Sequence, residues 1–272
     1  KEMIANDFEY DGVRASNFGL MMCSFDGGGG IETISIGAEI NYNTSAIAGG
    51  KRFDITNTTY DNPLECTFQV CKKDCLSREN YYFDVHEQRA IARWLNREED
   101  HMFRIQSDEA AYDYVQFEGK FNINKIEFNG FVVGFELHFI SNRPYAIGHL
   151  EKHVINATTP NFTYKFYDIS DKVGYIYPKI MTITCNQACN LVIKNKTEDR
   201  DTRINNCTSG EVITFTDSLT VSTTKDHAIQ NDFNYTFFRI ANSYNNRLNE
   251  IVISHPCVIT FEYYPVVKGV GL

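Results

Sequence analysis

Eight cysteines and seven histidines are the residues of this 272-residue chain with the chemistry to hold a metal, close a disulfide or attack a substrate. Cys66, Cys71 and Cys75 are separated by four and three residues, and Cys185 and Cys189 by three. A structural zinc site pairs two C-x2-4-C knuckles at a defined separation, and the first cluster lacks an obvious fourth ligand. Cys66 shares an alternating face with Leu64, Phe68 and Val70, and Cys257 does the same with Ile259 and Phe261. A thiol in that setting acts as a small hydrophobe, so free buried thiols are favoured over a metal site or disulfides. His149-Leu150-Glu151-Lys152-His153 looks like a zincin helix, but that chemistry needs glutamate directly after the first histidine, where Leu150 stands. A linker with two solvated histidines is the better reading.

Other catalytic patterns are missing too. There is no G-x-S-x-G elbow, and no Cys-His pair stands out over any other. The glycines of Asp26–Gly30 lack the strand-to-helix spacing of a phosphate loop. A glycosidase-like carboxylate pair is set in space and stays open at this level. We therefore assign no catalytic, no cofactor-binding and no metal-binding residues, expect no cofactor, and expect that the chain is not an enzyme.

The elements that would position any site are mostly strands. Phe (20) and Tyr (16) are abundant and Pro (6) is scarce, a bias towards sheets. In Phe131–Gly148 the residues Phe131, Val133, Phe135, Leu137 and Phe139 alternate as a strand with one buried face, which stops at Asn142-Arg143-Pro144-Tyr145. Strands are also expected at Glu32–Tyr42, Leu64–Lys73, Met102–Ile105, Tyr112–Phe121 and Lys125–Ile140, with a hairpin across Phe8–Leu20. The convincing helix starts at Asp84, with Glu87 completing a capping box. Ala90, Ile91, Trp94 and Leu95 form its apolar stripe, and Arg89, Arg93 and Arg97 lie on other faces. Trp94 reads as a core anchor. Beyond a polar bridge, residues 161–272 read as a sandwich of short strands at Ile180–Cys185, Asn190–Lys194, Glu211–Phe215, Tyr235–Ile240, Glu250–Ser254 and Pro256–Tyr264.

Charge is unevenly distributed. Residues 1–150 hold 14 Lys and Arg against 23 Asp and Glu, a balance of −9, whereas residues 151–272 hold 12 of each. An acidic half argues against binding nucleic acid by charge neutralisation. No run approaches the ~20 apolar residues of a membrane span. Lys1–Asp7 lacks a basic start followed by an apolar core, so we expect a soluble chain without a membrane anchor. Seven sequons, at Asn43, Asn57, Asn156, Asn161, Asn195, Asn206 and Asn234, are then expected to be unmodified.

Four segments, in order, resemble one family. They are the F-x-Y-D-G…S-x-x-F-G-L opening (Phe8 to Leu20), the helix ending Trp94-Leu95, the Arg143-Pro144-Tyr145 exit, and the R-I-x-N-x-Y-x-N-R-x-N run from Arg239 to Asn249. Each resembles its counterpart in the distal tail proteins (Dit) of siphophages. The resemblance implies a mainly β fold with one or two short helices. Residues 1–148 would form an N-terminal ring (belt) domain, 149–160 a linker, and 161–272 a C-terminal galectin-like β-sandwich. It further implies a structural virion protein at the tail tip, synthesised in the bacterial host cytoplasm. There it would form a homohexameric ring that joins the tail tube protein to a tail-associated hub protein. DNA would pass through the lumen without specific binding, and the outer domains would anchor receptor-binding or baseplate proteins. Residues 151–272 contain no tryptophan, and neither His227 nor His255 begins an H-x-N-x-R set, so the usual galectin sugar site is absent. The alternatives are a carbohydrate-binding adhesion module and, more remotely, a jelly-roll glycoside hydrolase. The expected ring contacts are the Asp26–Gly30 loop and the strand edges.

Overall fold

A two-residue turn sets the first hairpin. Asp11 and Gly12 both take positive φ (53° and 73°), which joins two antiparallel strands without splaying them. The computed structural model describes residues 5–23, 40–46, 53–60, 62–73, 81–107, 115–243 and 245–268. These divide into two compact units, residues 1–147 with 267–272 and residues 148–266.

In the first unit the strands are β1 (Ala5–Tyr10), β2 (Val13–Arg14), β3 (Leu20–Cys23), β4 (Ile40–Ala46), β5 (Phe53–Tyr60) and β6 (Glu65–Lys72). Helix α1 (Val85–Leu95) follows, then β7 (His101–Ser107), β8 (Phe117–Phe128), β9 (Phe131–Ser141) and β10 (Ala146–Ile147). Seven of them form an antiparallel sheet in the order β2-β1-β7-β8-β9-β6-β3, and β4 and β5 pair as a separate ribbon. The expected break between residues 121 and 125 is corrected: β8 runs through it to Phe128. The turn lies at Asn129-Gly130, again with two positive φ values (50° and 81°). Of the expected Glu32–Tyr42 strand only its end, within β4, falls among the described residues. The Asp26–Gly30 loop lies outside them.

One face of this sheet is aromatic. Phe8, Tyr10, Phe103, Phe117, Phe121 and Phe139 point the same way and are buried together with Ile91, Trp94 and Leu95 of α1. Their neighbouring ring centroids lie 4.5 Å (Phe103–Phe139) to 6.4 Å (Phe117–Phe139) apart, the range in which aromatic pairs attract beyond their buried area. Asp84 caps α1 as expected: its carboxylate accepts from the Glu87 N–H at 2.8 Å, and the Glu87 carboxylate accepts from the Asp84 N–H at 2.8 Å. At the other end Arg97 closes an ion pair to Asp11 at 2.7 Å, which ties the first turn to the helix exit.

In the second unit the elements are β11 (Glu151–Ala157), β12 (Phe162–Tyr167), β13 (Gly174–Ile176), β14 (Ile180–Cys185), β15 (Cys189–Asn195), β16 (Arg200–Cys207), β17 (Val212–Thr216) and β18 (Val221–Thr223). A single turn, α2 (Ile229–Asp232), precedes β19 (Ile240–Asn242), β20 (Leu248–Ile253) and β21 (Cys257–Tyr263). Sheets β11-β21-β14-β17-β18 and β12-β20-β15-β16 enclose one apolar cluster that includes Ile155, Ile183, Ile213, Ile259 and Phe261 from the first, and Phe166, Leu191, Ile193, Ile204 and Ile253 from the second. This is a sandwich.

Two expectations are corrected here. Residues 149–160 are not simply a linker, because β11 pairs with β21 along its whole length, from Glu151 opposite Tyr263 to Ala157 opposite Cys257. Its inward positions Ile155 and Ala157 are buried, and His153 is half-buried rather than solvated, with its ring 4.8 Å from that of Phe261. Tyr235–Ile240 is not a strand. Tyr235 takes positive φ (54°), and Phe233 and Phe238 reach the core from irregular backbone that becomes β19 only at Ile240.

Candidate functional site

The seven-stranded sheet has a second face, and alternation makes it polar. Where Phe8, Phe103, Phe121 and Phe139 turn inward, their neighbours Glu9, Arg104, Glu118, Lys120, Asn122, Glu136 and His138 turn the other way. Register aligns them into rows: Glu9 opposite Arg104, and Gln69, Glu136 and Asn124 side by side, as are Thr67, His138 and Asn122. Most of these side chains are tied to a neighbour. Arg143 reaches Glu118 at 3.1 Å, His138 reaches Glu65 at 3.1 Å, and Arg104 donates to the Gln116 side chain at 3.0 Å. Such a face is wettable, braced and not sticky.

At the tip of the β8–β9 hairpin the surface changes character. Phe128, Phe131, Tyr81, Tyr82 and Val85 are exposed, and the Tyr82 and Phe131 rings lie 5.2 Å apart. A cluster of exposed aromatic rings is uncommon on an isolated chain and typical of an interface.

The second unit holds a loop with inverted burial. Between β12 and β13 the apolar residues are outside, Tyr167 69% and Ile169 58% exposed, while Asp168 and Ser170 are buried. The cause lies in the Arg239–Asn249 motif. The Asn242 amide donates to the Asp168 carboxylate at 2.7 Å and to the Ser170 carbonyl at 2.8 Å. Asn249 accepts from the Ala241 N–H and donates to the Ala241 carbonyl, and it accepts from Asn195 as well. The Arg239 guanidinium lies 3.9 Å from the centre of the Tyr175 ring and pairs with Glu198 at 2.7 Å. Ser243 and Asn246 exchange backbone hydrogen bonds across the motif's turn. The motif is scaffold: its polar groups hold the loop rigid while the loop presents apolar side chains to solvent.

One cluster has the outline of a catalytic relay. His227 Nδ1 lies 2.7 Å from Glu211, whose carboxylate is fully buried, and Nε2 lies 3.1 Å from Asp232. Burial pulls the imidazole's pKa down, but hydrogen bonds and charge from Glu211 and Asp232 outweigh it and hold the ring above its ordinary value. Glu211 is pushed up by burial and more strongly down by hydrogen bonds from Thr223, Thr208 and His227. With both ring nitrogens occupied by carboxylates, His227 has no free nitrogen with which to activate a nucleophile. It is a buried latch.

Of the described cysteines, Cys66, Cys185, Cys189, Cys207 and Cys257 are free thiols; Cys75 lies outside the described residues. Burial pushes Cys66 and Cys257 up to about 12 and Cys189 to about 11. Among the described residues no group of three His, Cys, Asp or Glu side chains is placed to hold a metal. No described helix is long and apolar enough to cross a membrane. Shielded from solvent by the core, Cys185, Cys207 and Cys257 should resist iodoacetamide in the folded protein at neutral pH and react on unfolding. Peptide mass mapping with and without denaturant reads this, and rapid labelling of the folded chain would contradict it.

Comparisons with known proteins follow this division. A family described as phage tail protein N-terminal domain matches residues 3–143, and one described as phage tail C-terminal domain matches residues 145–263. No curated protein matches the chain. Among solved structures, the crystal structure of the SPP1 Dit (gp 19.1) protein, titled a paradigm of the hub adsorption apparatus in phages infecting Gram-positive bacteria, superposes with a TM-score of 0.62. Identity is 12%, with 95% of this chain and 98% of that one covered. The phage P2 baseplate in its activated conformation with calcium matches at a TM-score of 0.47 and 8% identity, over 96% of this chain and 98% of that one. The mainly β, two-unit architecture is that of the Dit fold, and with family matches to both halves the chain belongs to the phage tail proteins.

Proposed function

We propose that this chain is a hub subunit of the tail tip, in which six copies close a ring that joins the tail tube to the proteins below it. The observation that carries this reading is the coincidence of two tail-protein family matches with a Dit-like fold over 95% of the chain. The geometry supports it. Among the described strands the large sheet ends in β2 and β3, edges that can pair with a neighbouring copy. A contact of that kind, repeated head to tail, closes into a ring.

In this reading the polar face of the sheet lines the passage. Of its carboxylates, Glu65, Glu118 and Glu136 are braced by hydrogen bonds and ion pairs, and with Glu9 they belong to the half of the chain that carries all of the −9 charge. DNA moving through would meet a surface that repels its phosphates. The neutral second unit, with its braced loop of Tyr167, Ile169, Val173 and Tyr175, suits protein contacts with receptor-binding or baseplate partners.

Native mass spectrometry and negative-stain imaging of the purified chain, together with imaging of the tail tip, test the proposal. Rings of six with a central hole are expected. A tail tip with this protein placed outside any ring would overturn it, and so would specific glycan binding by a chain that forms no ring in either setting.

A further inference from the structure

Helix α1 turns Ile91, Trp94 and Leu95 inward, leaving Val85, Arg89, Ala92, Arg93 and Asn96 exposed. Arg89 and Arg93 are one turn apart, so their guanidinium groups rise from the same face. Among the described residues neither makes a hydrogen bond or an ion pair. Carboxylates are not scarce, since residues 1–150 carry 23 of them against 14 Lys and Arg. Four other cations of the unit are paired, Lys72 with Glu87, Arg97 with Asp11, Lys120 with Asp100 and Arg143 with Glu118, whereas Lys73 and Lys125 stand singly and, like the two arginines, make no ion pair among the described residues. Arg93 sits in the last turn, where a cation favours the helix dipole, but Arg89 is mid-helix and has no such role. The same unit exposes Glu98, Glu99 and Glu127, none of which makes an ion pair among the described residues.

We propose that the Arg89–Arg93 face of α1 docks against the acidic surface of a second copy of this chain. The inference rests on the ring reading and adds to it one of the two unlike surfaces that a head-to-tail contact requires. The chain supplies both signs of charge: two free guanidinium groups in one place and an excess of carboxylate elsewhere. Arginine suits the task, because its planar fork grips a carboxylate through two hydrogen bonds and it is enriched at interfaces. A nucleic-acid partner fits less well, since the same charge balance of −9 surrounds the pair.

The test uses the full chain and its variants R89E/R93E and R89K/R93K, with assembly followed by native mass spectrometry and sedimentation at about 50 mM and about 500 mM salt. The wild type should assemble, more weakly at high salt. R89E/R93E should lose association by about tenfold or more, and R89K/R93K should retain most of it. Far-UV circular dichroism should be unchanged in both, because the face is solvent-exposed. Rings that persist with both charges reversed overturn the arginine contact and leave the ring standing. A wild-type chain that is monomeric at both salts also overturns the contact, and the ring is then judged on the tail tip. Duplex DNA retained by the wild type and released by R89E/R93E would reassign the face to nucleic acid.

Discussion

Trp94→Ala should lower the stability of the first unit by about 3–5 kcal/mol, the usual range for truncating a large buried aromatic side chain. The indole is wedged between Phe18 and Phe8, with ring centroids at 4.6 and 5.5 Å, and its N–H donates to the Tyr10 carbonyl at 2.9 Å. Truncation therefore opens a cavity between α1 and the sheet and removes the indole's hydrogen bond to the Tyr10 carbonyl. Trp94→Phe separates the two effects. It keeps most of the apolar contact and loses the hydrogen bond, at an expected cost of about 1–3 kcal/mol. Urea unfolding followed by far-UV circular dichroism measures both, since the single tryptophan cannot serve as its own probe once replaced. A loss below about 1 kcal/mol for alanine would show that α1 is not anchored through this ring.

The same residue shows what the sequence makes legible. A capped helix with one apolar stripe has one way to pack, so Asp84, Glu87, Ile91, Trp94 and Leu95 announce both the element and its buried face. Strands with a clean alternation are as readable: Cys257, Ile259 and Phe261 are buried one after another, as their spacing requires. Strand β16 hides because its inward residues, Thr202, Ile204 and Cys207, change spacing from two to three where the register with β15 shifts. Strand β11 hides because one of its inward residues is histidine, which reads as solvent-facing until Phe261 and Tyr164 are seen against it. The Tyr235–Ile240 stretch misleads in the opposite direction: aromatic residues can reach a core from a loop once Asn234 satisfies the local backbone, here by accepting from the Arg203 and Thr236 N–H groups.

The assembly surfaces are less legible than the fold. Arg89 and Arg93 can be placed on one helix face from spacing alone, but their lack of partners depends on where every carboxylate lies in space. The loop 167–175 is harder still. Its polar Asp168 and Ser170 look like ordinary surface, and partners more than seventy positions along the chain, Asn242 for both and the Val266 N–H for the Ser170 hydroxyl, turn them inward. The motif from Arg239 to Asn249 pointed to the family correctly, and its physical role is to build this loop rather than to touch a partner.

Glu211→Ala should cost about 3–5 kcal/mol of stability in the second unit, because it removes the carboxylate that offsets a buried imidazolium. Thr208 N–H, Thr223 Oγ and His227 Nδ1 would all lose their acceptor at once. The pH dependence of the native protein carries the same signature, and its sign follows from the two directions of shift. His227 is held above its unfolded value of 6.5, so its contribution is full below that pH and disappears as pH rises through the higher folded value. Glu211 is held below its unfolded value of 4.5, so its contribution is full above that pH and disappears as pH falls through the lower folded value. The latch is thus strongest between about pH 4.5 and 6.5 and weakens on either side. The cluster also holds Asp232, at 3.1 Å on the other ring nitrogen, the Asn206 amide that donates to Asp232 at 2.8 Å, the Thr208 N–H, and the hydroxyls of Thr208 and Thr223. His227→Gln should flatten the alkaline arm of the stability profile while leaving the sandwich folded. Urea midpoints measured from pH 4 to 9 on both variants decide the matter, and an alkaline arm that survives in His227→Gln would assign the titration to another group.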